Sequence, residues 1–213
     1  DICRYFDYPA SNISVIWNGI NLDDCKFHHR EKFSANFVTI ISSDVPMKNL
    51  KTLLKALYLL KEEGLNANLT IIGDLREENK KLIKNLDLTN EISYKSKLTR
   101  AELIQSLNHA DIGIVPSKYE GFGFPLVEMI ATGLPVIVSD KASLPELAGN
   151  AGLIFDSEDS IDLKEKMKEL IENNKLRNKL TENSKLRRDD FFGWDEYAKK
   201  LEDLYKEIIS GNV

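Results

Sequence analysis

Apolar and polar positions along this chain switch between two periods. Short β-branched runs recur at NFVTIIS (36–42), NLTIIGD (68–74), EISYKS (91–96), DIGIVPS (111–117), PVIVSD (135–140) and GLIFD (152–156), with stretches of helical spacing between them. Runs of this length and composition read as strands buried on both faces. In KNLKTLLKALYLLKEEG (48–64), Leu50, Leu53, Leu54, Leu57 and Leu60 fall on one face and Gly64 marks a stop, which predicts an amphipathic helix. TRAELIQSLNHA (99–110) opens on Thr99 with Glu102 three residues later, a capping box. Beyond residue 156 the pattern is wholly helical, over 160–174, 175–190 and 194–210, so the sheet is expected to end there. ISVIWNG (13–19) could be one more strand or a linker. The alternation predicts an α/β chain: a Rossmann-like doubly wound parallel sheet with additional C-terminal helices.

Composition narrows the classes of function. The 213 residues suffice for one large α/β domain or two small ones. With 34 acidic against 29 basic residues the net charge is -5, and no positive stripe compensates, which argues against a nucleic-acid partner. Cys3 and Cys25 are too few and too far apart for a disulfide framework or a paired zinc site, so a cytoplasmic setting is expected. His28, His29 and His109 have no acid or cysteine at metal spacing; His109 suits a helix end and His28-His29 a linker. No apolar run of about 18 residues is present to span a bilayer. The chain starts at Asp1 with no signal-peptide pattern and is expected to be part of something longer.

Candidate chemistry concentrates in SKYEGFGFPLVEMIATGLPVIVSD (117–140), where seven residues separate Glu120 from Glu128, beginning with Gly121-Phe122-Gly123-Phe124-Pro125. In a doubly wound sheet, ligands sit beyond the carboxyl ends of the strands, where loops lead into helices. Pro125 suits the first helical position, and the helix start offers unpaired N–H groups and a positive dipole end, an anion site. Gly121 and Gly123 let the backbone approach a bulky ligand. A carboxylate beside a phosphate would repel it, so both acids are better suited to accept hydrogen bonds from neutral hydroxyls flanking a diphosphate. Two polyols around a diphosphate describe a nucleotide sugar.

The spacing of Glu120 and Glu128, followed by MIATGLPVIVSD and SLPELAGNAGLIFD, closely resembles the E-x7-E signature of retaining glycosyltransferases of the group-1 family, which have the GT-B fold. VIWNGIN (15–21), PMKNLKTLLKAL (46–57) and FFGWDEYAKKLEDLY (191–205) resemble further segments of that family in order, so the resemblance covers nearly the whole chain. It implies a linker or remnant over 1–35 leading from an absent acceptor-binding N-terminal domain. Residues 36–190 would form the nucleotide-sugar-binding domain, the C-terminal half of a GT-B fold, and 191–213 a helix crossing back to the N-terminal half. The resemblance implies that Glu128 binds the ribose hydroxyls and that Glu120 lies beside the transferred sugar. Backbone N–H groups of Phe122, Gly123 and Phe124 would meet the sugar and distal phosphate, and Lys48 would neutralise the departing diphosphate. The family's usual arginine five residues before that lysine is replaced by Ser43, and a hydroxyl does not substitute for a guanidinium. The base would lie against Tyr94, Lys95 and Ser96.

The implied function is transfer of a hexose from a nucleoside diphosphate sugar, GDP-mannose or a UDP-hexose, to a glycan or lipid-linked acceptor in a polysaccharide pathway. Neither a cofactor nor a metal is implied, since there is no Asp-x-Asp cluster. The fragment alone is expected to be inactive. Other readings remain open at this point: a non-catalytic nucleotide- or sugar-binding module of the same fold, a sugar-nucleotide epimerase, or a hydrolase using the two carboxylates. Bland readings exist too. Phe122 or Phe124 could be core aromatics, Gly133 a helix stop, and Glu146 a helix-start acid. Lys175, Arg177, Lys179, Lys185, Arg187 and Arg188 read first as a solvated face, and second as a peripheral contact with anionic membrane.

Overall fold

The computed structural model describes residues 2–28, 30, 32–42 and 44–210. The chain divides into a larger unit, 22–190, and a smaller one formed by 1–21 and 191–213. In chain order the elements are α1 (Ile2–Phe6), β1 (Asn36–Ile40), α2 (Leu50–Glu62), β2 (Asn68–Ile72), α3 (Glu77–Asn85), β3 (Ile92–Lys95), α4 (Arg100–Asn108) and β4 (Ile112–Val115). There follow α5 (Phe124–Ala131), β5 (Val136–Ser139), α6 (Leu144–Ala148), β6 (Gly152–Phe155), α7 (Ser160–Glu172), α8 (Asn174–Arg188) and α9 (Trp194–Ile209).

All six strands of the larger unit are parallel, in the order β3-β2-β1-β4-β5-β6. This is the doubly wound α/β architecture expected from the alternation. Val38 of β1 stands opposite Thr70 of β2 on one side and Gly113 of β4 on the other. Every residue of β4 and β5 is buried, whereas the edge strand β3 is largely exposed, which is why its apolar pattern is the weakest of the six. Chain order reverses between β1 and β4, which in a doubly wound sheet is where the ligand crevice lies, outside the carboxyl ends of the strands.

The leucine face of α2 behaves as its spacing demands: Leu50, Leu53, Leu54, Leu57 and Leu60 are all buried. Each such side chain contributes about 1.5–3 kcal/mol by leaving water. They share one core with Leu163, Met167 and Leu170 of α7. At the rim of that contact the Glu63 carboxylate accepts from Lys164 Nζ at 2.6 Å and Lys168 Nζ at 2.8 Å. α5 ends where Gly133 N–H and Leu134 N–H donate to Ile130 O and Met129 O, the helix stop expected of Gly133.

Residues 13–19, left open between a strand and a linker, contain no strand. The structure departs from the sequence reading in three places. α3 was not anticipated, because Leu82 and Ile83 are its only large apolar residues. The lead-in expected over 1–35 stops at residue 21: Cys25 and Ala35 are buried in the larger unit, and the Arg30 guanidinium donates to His28 O, Leu107 O and Ala110 O. Burial lowers that guanidinium to about 10. The basic run of α8 is not simply a solvated face. Arg177 donates to Leu170 O and Ile171 O and lies over the Phe33 ring, Arg187 donates to Leu147 O and Glu146 O, and Arg188 reaches Leu22 O at 3.4 Å. Arg177 and Arg187 thereby satisfy open carbonyls at the ends of α7 and α6.

Within the smaller unit, Trp17 and Phe191 pack with ring centroids 5.9 Å apart, and Ile20 N–H donates to Phe192 O at 2.9 Å. None of the residues of α9 is buried. No described helix is long and apolar enough to cross a membrane.

Candidate functional site

The loop after β4 is tied on several sides before it enters α5. Lys118 N–H donates to Met47 O at 2.7 Å, Ser139 Oγ to Ser117 O, and Ser143 Oγ to Phe122 O at 2.6 Å. α5 begins at Phe124, which puts Pro125 second in the helix rather than first; Gly123 precedes it with φ 114°, a left-handed conformation that favours glycine. A Cβ there would also meet Leu147 Cδ1 at 3.2 Å, whereas at Gly121 there is open space. The Phe122 and Phe124 rings stack edge to face at 5.2 Å and stay outside the core, Phe124 being exposed.

Glu120 meets Lys48 across the crevice between β1 and β4. Lys48 Nζ lies 2.7 Å from Glu120 Oε1, and Ser117 Oγ donates to the same oxygen at 2.7 Å. The two side chains are only 14% and 12% exposed. Attraction between them is strong at this depth, and desolvation offsets much of it, so the pair fixes geometry more than it adds stability. Lys48 is held by its neighbour. Asn49 adopts φ 55°, ψ 31° as the cap of α2, and its buried amide donates to Pro116 O at 3.0 Å and Ser157 O at 2.8 Å while accepting from Thr52 Oγ1. One side chain thereby joins the loops that follow β1, β4 and β6. Nearby, the buried Asp44 carboxylate accepts from Arg76 N–H and Asn79 Nδ2 and ties in the loop after β2.

Glu128, fifth residue of α5, is gripped by a second cation. Arg100 Nη1 donates to Glu128 Oε1, Arg100 Nη2 points to Cys25 Sγ at 3.2 Å, and Nε faces Asp24 at 3.7 Å. Burial pushes the Cys25 thiol up, and Arg100 only partly reverses this. Burial is the largest influence on Arg100 and works against its charge, but the hydrogen bond it donates to Glu128 and the negative groups around it together outweigh burial, and the guanidinium titrates above its ordinary value. Arg100 is the first residue of α4, directly after Thr99, whose capping box with Glu102 is complete.

Of the expected site residues, the structure brings Lys48 to Glu120 and positions Gly121, Phe122, Gly123 and Phe124 between the two glutamates. Tyr94, Lys95 and Ser96 lie at the carboxyl end of edge strand β3; Tyr94 is exposed and Lys95 Nζ turns to Ser106 Oγ on α4, 3.2 Å away. Ser43 and His29 lie outside the described residues. Glu146 is in the first turn of α6, and His109 caps α4 with its ring on Gln105 O. Arg100, Asn49 and Asp24 were not singled out from sequence, and Cys25 was weighed there only for a disulfide or a zinc site. Among the described residues, no group of three or more His, Cys, Asp and Glu is arranged to hold a metal.

Residues 23–187 match the family described as glycosyl transferases group 1. The chain is 29% identical over 216 aligned positions to the MMP alpha-(1->4)-mannosyltransferase of Mycolicibacterium hassiacum, covering 99% of this chain and 52% of that protein. Among solved structures, a glycosyltransferase from Rickettsia africae superposes with TM-score 0.81 at 23% identity, over 98% of this chain and 60% of that one. Anabaena HepE in complex with UDP and glucose superposes with TM-score 0.75 at 20% identity, over 93% and 58%. These likenesses are of fold. The chain spans about half the length of the curated relatives it matches.

Proposed function

The chain belongs to the group 1 glycosyltransferases, and from that premise we propose that its larger unit binds the nucleoside diphosphate sugar donor of a retaining hexosyltransferase. One observation carries the reading: a lysine following β1 and a glutamate following β4 meet at 2.7 Å over the point where strand order reverses, beside the start of α5. Lys48 and the helix start would bind the diphosphate, Glu120 would lie beside the hexose, and Glu128 would accept the ribose hydroxyls. The backbone of Phe122, Gly123 and Phe124 would line the sugar, and Tyr94, Lys95 or Ser96 would meet the base. In the transfer, the bond from C1 to the distal phosphate oxygen breaks and a bond from C1 to the acceptor oxygen forms on the same face. The acceptor proton passes to the departing phosphate, so Glu120 acts by position and charge on an oxocarbenium-like transition state.

The mannosyltransferase relative favours mannose as the hexose; the donor we propose is GDP-mannose, with a UDP-hexose the alternative. The acceptor, a glycan or lipid-linked hydroxyl, would be bound by a further domain, and α9 would cross back to it. On this reading the protein works in the cytoplasm without metal or other cofactor, and a lipid-linked acceptor would bring it to the cytosolic face of a membrane. Ser43, in the family's arginine position, favours a second reading: a module that binds nucleotide without transfer.

Calorimetric titration with UDP, GDP, ADP and CDP tests the donor site. Binding of one nucleotide, weakened in Lys48→Ala and Glu128→Ala, is the expected result. Equal affinity in both variants would overturn the assignment. Sugar transfer by the protein joined to its acceptor domain, lost in Glu120→Ala with nucleotide binding intact, would eliminate the module reading.

A further inference from the structure

Arg100 stands at the first position of α4, where a cation meets the positive end of the helix dipole. Local preference therefore disfavours it, and its reason has to lie in what the guanidinium touches. Among the described residues it meets the Glu128 carboxylate through Nη1, Cys25 Sγ through Nη2 and Asp24 beside Nε. Glu128 Oε1 is taken by this bond, while Oε2 has no hydrogen-bond partner among the described residues, so the carboxylate is oriented with one oxygen committed and one open to a ligand. The residue just before Arg100 is locked by its capping box: Thr99 N–H and Oγ1 both donate to Glu102 Oε2, at 2.8 and 2.7 Å. A rigid path thus runs from the loop after β3, through Arg100, to the acid on α5.

We propose that Arg100 is a positioning residue for ribose selection, holding Glu128 so that its open oxygen accepts from a ribose hydroxyl at a fixed distance from the loop after β3. The inference rests on Glu128 being the ribose acceptor. Cys25 contributes as an uncharged buried contact that keeps the second arm of the fork in place, which a lysine at position 100 could not reproduce.

The test is calorimetric titration of the chain with UDP, GDP and their 2′-deoxy and 3′-deoxy counterparts, in the wild type, Arg100→Gln, Arg100→Lys, Glu128→Gln and the Arg100→Gln/Glu128→Gln double variant. The wild type should prefer one ribonucleotide over a deoxy form by about 10- to 100-fold, the value of a hydrogen bond to a charged group. Arg100→Gln should bring that ratio close to 1, as Glu128→Gln does, with no further fall in the double variant. Arg100→Lys, which keeps the charge and serves if the glutamine variant fails to fold, should show an intermediate ratio. A merely structural ion pair would leave the ratio untouched in any folded variant, and an unchanged ratio in Arg100→Gln and Arg100→Lys overturns the inference alone. Tighter ribonucleotide binding in Arg100→Gln would show that the pair competes with ribose and overturns it as well. No ribose preference in the folded wild type, or no binding, overturns both this inference and the donor-site assignment on which it rests.

Discussion

Asn49 is the side chain on which the geometry of the crevice most depends, and its replacement can be worked through. In Asn49→Ala the carbonyls of Pro116 and Ser157 lose their amide donor in a place where Asn49 is only 5% exposed. Each buried carbonyl left without a partner costs about 1–3 kcal/mol. The backbone at φ 55° adds about 1 kcal/mol for alanine in the left-handed region. Together these give a loss of about 5 kcal/mol, within a range of roughly 3–7. Asn49→Gly should be about 1 kcal/mol less harmful, since the backbone term disappears. Asn49→Asp should be worse than Ala, because it sets a carboxylate against two carbonyl oxygens. Urea unfolding followed by circular dichroism measures all three. Nucleotide affinity should fall in whichever variants remain folded, as Lys48 and the loop before α5 lose their common tether. A loss below about 1 kcal/mol for Ala, the worth of one ordinary hydrogen bond, or a glycine variant no better than alanine, would refute the reasoning.

Three further outcomes are expected. The Glu63 carboxylate, held first by Lys164 and then by Lys168, lies at about 2, well below its ordinary value. A depressed folded value gives stability that is present above the ordinary carboxylate range and lost as pH falls toward 2, so the stability gap between wild type and Glu63→Gln should be full at pH 6 and closed by pH 2 in chemical denaturation. Gly73 has φ 136°, and a Cβ there would stand 1.9 Å from Ile41 O. Gly73→Ala should therefore cost more than about 3 kcal/mol, read from thermal unfolding. Gly121→Ala meets nothing within 4 Å and should leave stability within about 0.5 kcal/mol while weakening nucleotide binding, if that space belongs to a ligand.

How much was legible depended on whether the signal was local. The six strands could be read because buried parallel strands concentrate β-branched residues, and α2 because five leucines repeat at helical spacing. The capping box of α4 is a four-residue pattern and appears in the structure as expected. α3 carried almost no apolar signal, being a surface helix with acids in its first turn. At the site, the two glutamates were marked by their spacing around one loop and helix start, and Lys48 only by the resemblance to the family. Arg100 was not, since its meaning depends on Glu128 and Cys25, which are 28 and 75 residues away. Asn49 likewise looked like an ordinary residue before a helix, because the carbonyls it serves come from two other loops. The basic run of α8 misled for the same reason: the carbonyls that Arg177 and Arg187 satisfy are invisible to a charge count.

The contact between Arg188 and Leu22 has a practical side. It brings together the two extremities of the 22–190 unit, so the polypeptide enters and leaves that body through a single doorway. A unit wired in this way can be lifted out, spliced into a host loop or rejoined end to end with a short bridge, its old sequence reopened elsewhere. The surface turn after α3 would be a suitable new opening. Such a rearranged chain would carry both halves of the crevice intact, and would provide a portable sheet on which the chemistry of Lys48, Glu120 and Glu128 could be studied apart from the segments that flank it.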